Sequence, residues 1–198
     1  NDLSTLKSKW TLAANWDGYY DWTAMTKSPY IDNITQKGKL CVGALMYDVS
    51  KSINSEYGTI ADGGTGAYIN KGITYIRNIG YSCDNLKSYS YNEISSSLKK
   101  DCPVTIIGFE NNKSGHAWVI DGSLELQRSR NYYVFWIPFK NTETQDYVHC
   151  NYGWSGSNDE GKAYTYKGIG YYKSGVFATT NGDFSKLLSI VTNIRPNK

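Results

Sequence analysis

Pro103-Val104-Thr105-Ile106-Ile107-Gly108-Phe109, followed after a polar stretch by Ser114-Gly115-His116-Ala117-Trp118-Val119-Ile120-Asp121-Gly122, is where this chain changes its hydrophobic pattern. Residues 104–109 are rich in β-branched side chains and bounded by Pro103 and a polar stretch at 110–115, which predicts a strand and a hairpin turn. Further strands are predicted at 116–120, 132–137 and 147–151. A glycine-rich loop around 153–161 leads to more Tyr/Gly-rich strands, and a short element at 187–194 closes the chain. Before Pro103 the signal is helical. Val42, Leu45, Met46, Val49 and Ile53 recur at helical spacing within 40–57, between Gly38 and Gly58. A glycine cluster ending in Thr65-Gly66 leads into a second predicted helix at 67–78, with Thr65 as its expected cap and Gly80 as its stop. A third is predicted at 92–99, where Ser90 and Glu93 have capping-box spacing. Residues 1–30 are aromatic and turn-rich and read as loops with at most one short element. Helices first and an antiparallel sheet second predict the α+β class.

At 198 residues the chain is long enough to bury a core without metals or disulfides, and no linker or repeat divides it. Residues 1–198 therefore read as a single domain. The formal charge of +3 is small and the Lys and Arg residues are scattered, which predicts neither a nucleic-acid stripe nor a basic membrane patch. No apolar stretch is long enough for a membrane span. No export signal opens the segment; one already removed or lying outside it is the expectation. The abundance of Tyr, Trp and Gly fits β-rich domains with aromatic clefts, a profile common among secreted proteins. Cys41, Cys83, Cys102 and Cys150 are irregularly spaced with no C-x-x-C pair, which argues against zinc and makes a small buried apolar residue the first reading of each.

Both histidines sit in unusual company. His116 opens a strand directly after a glycine turn, and His149 lies in Tyr147-Val148-His149-Cys150-Asn151-Tyr152-Gly153-Trp154, a strand running into a glycine/aromatic loop. Strand alternation places His149 and Asn151 on one face and Cys150 on the other. A histidine at one strand start and an Asn at a neighbouring strand end are expected to meet across the sheet. That is the pair a cysteine peptidase needs: the imidazole takes the thiol proton and the amide oxygen orients the ring.

Gly115-His116-Ala117-Trp118-Val119-Ile120-Asp121-Gly122 resembles the segment that carries the catalytic histidine in streptopain-type peptidases. His149-Cys150-Asn151-Tyr152-Gly153-Trp154-Ser155-Gly156 resembles their His-x-Asn-Trp-Gly-Trp-x-Gly segment. Supporting similarity runs through Leu45-Met46-Tyr47-Asp48-Val49, Ser55-Glu56-Tyr57-Gly58, Gly64-Thr65-Gly66-Ala67 and Gly80-Tyr81-Ser82, as well as Tyr20-Asp21-Trp22 and Tyr171-Tyr172, covering nearly the whole chain. The resemblance implies a papain-like fold and a secreted or cell-surface bacterial thiol endopeptidase acting on protein or peptide substrates. His116 would be general base and acid, and Asn151 its orienting partner. Trp154, Tyr152 and Gly115 would meet the substrate, with Tyr152 standing where the family has Trp. No metal or organic cofactor is implied, and no nucleic acid.

The family's nucleophile belongs in a Gly-Cys-Val-Ala-like helix start well before the Asp21-Trp22 segment, at or before Asn1. Cys41-Val42-Gly43-Ala44 imitates that context, but the flanking match makes its helix a packing helix behind the cleft. Three readings stay open: a nucleophile on a separate N-terminal piece, Cys41 itself, or a catalytically silent peptide- or glycan-binding module; an N-terminal fragment carrying the nucleophile or a propeptide is an expected partner. A cell-wall amidase of the papain-like group is a further alternative.

Overall fold

The structure, a computed structural model, describes residues 17–28, 31–58, 65–110, 114–153, 165–166 and 169–197. The chain falls into two compact units that divide between Ile79 and Gly80.

The first unit is helical. A one-turn helix, α1 (Trp22–Met25), is capped by Asp21, whose carboxylate accepts the Ala24 N–H at 2.9 Å. That bond, with Lys37 3.5 Å away, holds the Asp21 carboxyl below its ordinary range. The long predicted helix is α2 (Gln36–Ser52), but it begins before Gly38 rather than after it: Thr35 caps it by accepting the Gly38 N–H at 3.2 Å. Gly38 is needed inside the helix because this turn lies against α1. A Cβ there would sit 2.6 Å from the Ala24 carbonyl oxygen. The buried stripe is correspondingly small, Gly38, Cys41 and Ala44, and Met46 is exposed. α3 (Ile69–Asn78) starts after Tyr68 with no side-chain cap. The expected Thr65 cap is absent because the neighbouring Gly66 is extended, exchanging two 2.8 Å backbone hydrogen bonds with Glu56.

The second unit is built on strands. β1 (Tyr81–Ser82) pairs with β11 (Arg195–Pro196), and β8 (Ala178–Thr179) with β9 (Gly182–Asp183). The main sheet, seven strands among the described residues, comprises β2 (Lys87–Ser88), β3 (Val104–Phe109), β4 (Gly115–Val134), β5 (Ile137–Asn151), β6 (Thr165–Tyr166), β7 (Ile169–Lys173) and β10 (Lys186–Val191). Their spatial order is β2-β10-β3-β4-β5-β7-β6, and every neighbour is antiparallel. Helix α4 (Tyr91–Leu98), started by Ser90, lies against β3 and β4 and buries Ile94 and Ser97. Only half of the expected capping box forms, because Glu93 reaches Lys87 instead of turning back to Ser90. The α+β reading of the chain stands.

β3 keeps its predicted bounds, with Val104, Ile106 and Gly108 buried in alternation. The strands predicted at 116–120 and 132–137 are not separate elements. β4 runs through to Val134, turns at Phe135-Trp136 and returns as β5, so the turn falls inside the predicted 132–137 strand. Both turn residues have positive φ, 47° and 68°, as a two-residue type I′ hairpin loop requires. For residues other than glycine that conformation costs roughly 1–2 kcal/mol each. At the proximal end β4 is flanked by β3 over Gly115–Ile120, and β5 by β7 over Tyr147–Asn151. Beyond these the two strands pair, among the described residues, only with each other, as an exposed two-stranded ribbon.

Near the edge of this unit, Asp84 gathers three donors: the Thr192 hydroxyl at 2.7 Å, the Asn193 amide at 2.8 Å and the Lys87 ammonium at 3.0 Å. Burial pushes its carboxyl upward, but these hydrogen bonds outweigh it and the pKa falls to about 2.

Candidate active site

The strand register decides which side chains meet. β3 and β4 pair Gly108 with His116 and Ile106 with Trp118; β4 and β5 pair Val119 with Asn151 and Ile120 with Cys150. Directly opposed residues share a face and successive residues alternate. His116, Trp118, Ile120, Cys150 and Tyr152 therefore stand on the core face, where Trp118, Ile120, Cys150 and Tyr152 are all buried. Val119, His149 and Asn151 stand on the other.

His116 is partly buried within an aromatic group. Its ring lies nearly parallel to Trp118 (centroids 6.1 Å, 11°) and Tyr152 (5.9 Å, 14°), with Phe184 tilted against it at 5.6 Å. Trp118 and Tyr152 stack on each other at 4.9 Å. The ring is oriented by the main chain: His116 Nε2 lies 2.9 Å from the Tyr152 carbonyl oxygen. A carbonyl only accepts, so Nε2 carries the proton and the neutral ring keeps its lone pair on Nδ1. Burial lowers the His116 pKa from its ordinary 6.5, against the opposing pull of the Tyr152 hydrogen bond. Burial thus favours the uncharged form of the ring.

Two glycines make this packing possible. A Cβ on Gly108, directly across from His116, would lie 2.0 Å from the Phe184 carbonyl oxygen and 2.9 Å from the Trp118 ring. One on Gly115 would lie 2.7 Å from the Phe109 ring. Gly115 is thus explained by close approach to Phe109. Gly108 and Phe184 belong to the site although the sequence reading passes over their roles; a glycine inside an otherwise β-branched strand was the one available signal.

The structure does not bring Asn151 to His116. Pairing with Val119 turns the Asn151 side chain to the opposite face, where its Oδ1 accepts the Gly153 N–H at 3.0 Å. The contact expected from the Asn side chain is made instead by the next residue's carbonyl. Tyr152, expected at the substrate, has its ring buried in the core. Trp154 lies outside the described residues. On the face away from His116, His149 Nδ1 meets Asp121 Oδ1 at 2.5 Å and packs edge-on against Tyr171 at 5.0 Å. A bulge between Ile120 and Gly122 sets Asp121 there.

Cys41, Cys102 and Cys150 are buried as expected, whereas Cys83 is only half-buried. Cys41 is buried beyond the first turn of α2, so it does not open the helix as its sequence context suggests. Its Sγ lies 3.5 Å from both the Tyr19 carbonyl and the Asp21 N–H. Cys102 is buried with its thiol on the Lys100 carbonyl at 3.3 Å. Burial pushes the Cys150 thiol up to about 12, far from a thiolate near neutrality. Among the described residues no group of His, Cys, Asp and Glu is arranged to hold a metal, and no helix is long and apolar enough to cross a membrane.

A family model described as the Peptidase C10 family matches residues 3–161. No curated protein and no solved structure matches the chain.

Proposed function

Because the chain belongs to the peptidase C10 family of cysteine peptidases, we propose that it is a secreted, bacterial cysteine endopeptidase in which His116 is the general base and acid. The two units act together as one peptidase domain. The single observation that carries the reading is the Tyr152 carbonyl on His116 Nε2, which leaves Nδ1 as the basic atom of an imidazole already held in orientation.

The steps follow from that tautomer. Nδ1 takes the proton of a cysteine thiol, and the thiolate forms a bond to the scissile carbonyl carbon. A neighbouring thiolate raises the imidazole pKa again, so the ion pair is populated near neutrality. As the tetrahedral intermediate collapses, the C–N bond breaks and the imidazolium proton passes to the departing amine. Water, deprotonated by Nδ1, then attacks the thioester, and the thiol recovers its proton as the carboxylic acid leaves. Asn151 contributes as a positioning residue: its turn with Gly153 sets the direction of the chain at Tyr152. Gly115 and Trp154 border the substrate. Cys41, Cys102 and Cys150 are all buried, which speaks against each of them as the resting nucleophile.

A second reading, a peptide- or glycan-binding module without catalysis, draws on the burial of Cys41, Cys102 and Cys150. An epoxysuccinyl thiol probe on the native protein, followed by peptide mapping, separates the two. Labelling of a further cysteine, slowed by about 10²–10⁴-fold in His116→Ala, is the outcome expected of the peptidase. Labelling at Cys41 keeps the chemistry and moves the nucleophile. A folded protein that takes no label at all leaves only the binding module.

A further inference from the structure

The far end of the β4–β5 ribbon has a composition that the peptidase reading does not use. Residues 132–139 carry no charged side chain. Tyr132, Val134, Ile137 and Phe139 share one face, with Tyr132 and Phe139 stacked across the strands at 5.6 Å; Tyr133 and Pro138 share the other. Phe135 and Trp136 form the turn and are 91% and 95% exposed. The tip is therefore apolar on both faces and around its end.

Just behind this cap stand cations. Arg130 pairs with Asn141 and Lys140 with Asn131, so residues ten apart in sequence come to adjacent rungs, one on each face. Arg128 follows on the Arg130 face, opposite Glu143. Between Glu125 and Glu143 there are three cations and no carboxylate, as many positive charges as the whole chain carries net. Folding thus concentrates a basic collar that the scattered sequence positions do not reveal.

We propose that this tip inserts into the interfacial region of a lipid bilayer carrying anionic phospholipids, with Arg130 and Lys140 on the headgroup phosphates. A docking protein, or a second copy adding a strand along a bare edge of the ribbon, would use one side of the tip and leave the others exposed. Apolar character on every side fits a medium that surrounds the tip. The depth is self-consistent: the turn and the two pairs behind it span about 10 Å, the reach of a peripheral anchor. The unpaired N–H and C=O groups along the ribbon edges keep it from going deeper, because hydrocarbon offers them no partner. The turn itself argues in the same direction. Phe135 and Trp136 occupy positive-φ positions that Asn-Gly would fill without strain, so two exposed aromatic rings stand where local preference opposes them.

The test is flotation of the native protein with vesicles of phosphatidylcholine alone and of phosphatidylcholine mixed with phosphatidylglycerol. Wild type is expected to float with the mixed vesicles and less with the neutral ones. F135N/W136G, which installs the sequence a type I′ turn favours and so preserves the hairpin, should lose at least about tenfold in partitioning. R130Q and K140Q should each lose about fivefold on anionic vesicles and little on neutral ones. Wild type that floats with neither vesicle overturns the proposal, as does equal flotation of wild type and F135N/W136G. Self-association in lipid-free sedimentation that the tip variant abolishes, without vesicle binding, overturns it in favour of a second copy as the occupant.

Discussion

The two ends of the β4–β5 pair are made from the same two strands and live in different surroundings. At the proximal end β3 and β7 flank them, a core lies on one side, and burial alternates strictly through Trp118, Val119 and Ile120. At the distal end no third strand lies among the described residues, and from Leu124 to Val134 every residue is exposed whether it is Leu, Arg or Tyr. Pairing alone does not make a residue structural. The third strand and the aromatic layer behind it do, because a side chain contributes hydrophobic stabilisation only in proportion to the area removed from water. An isolated ribbon is marginal by itself, and its side chains are correspondingly free to serve something else.

The sharpest way to break this contrast is a pair of truncations on one strand. Ile120→Ala should cost about 2–5 kcal/mol in denaturant unfolding, from lost transfer energy and a residual cavity, whereas Leu126→Ala should stay within about 0.5 kcal/mol. Similar costs at the two positions would mean that the ribbon is covered in solution. Next in size is Gly108→Ala. The added Cβ meets the Phe184 backbone oxygen at 2.0 Å, which no side-chain rotation relieves, so a loss of about 3 kcal/mol is expected in the same assay. The ribbon predicts the opposite sign for a backbone change: F135N/W136G should slow amide hydrogen exchange near the turn by about thirtyfold, since relief of about 2 kcal/mol of left-handed strain deepens the local well.

The smallest effects are in pH, and they too divide by position. With no thiolate beside it, His116 binds its proton less readily folded than unfolded, so its contribution to stability is complete above about pH 6.5 and is lost as pH falls below that value. Asp84 acts at lower pH: its contribution is present above its ordinary 3.8 and disappears as pH falls through about 2. A shallow loss of stability beginning near pH 6.5 that His116→Gln removes, measured by unfolding midpoints, would support this account; its persistence in that variant would contradict it.

These regions were also unequally legible. β3 could be bounded by sequence because Val104, Ile106 and Gly108 alternate with less buried residues between Pro103 and a polar turn. The location of α2 was clear from its apolar spacing, although Gly38 looked like a boundary when its role is close approach to Ala24. The Phe135-Trp136 turn was illegible in principle, since it lacks the Asn or Gly that left-handed backbone normally selects. The sequence singled out His116, but the atom that meets its ring in the structure belongs to Tyr152, one residue beyond Asn151. Alternation within a strand separates His149 and Asn151 from Cys150 correctly. It says nothing about which face of the next strand shares their side, and that depends on the pairing of Val119 with Asn151. The Thr65 cap failed for a similar reason, since the bridge from Gly66 to Glu56 is a non-local contact.

The hydrogen bond from His116 to the Tyr152 carbonyl has an implication for how this position tolerates change. A main-chain oxygen is common to all residues, so exchanging the side chain at 152 leaves the accepting atom in place. What is constrained is volume and flatness, a plate that fills the space between Trp118 and Tyr172. Another flat aromatic ring at 152 would therefore leave the acceptor in place, and drift among aromatic rings is a permitted direction of variation beside His116.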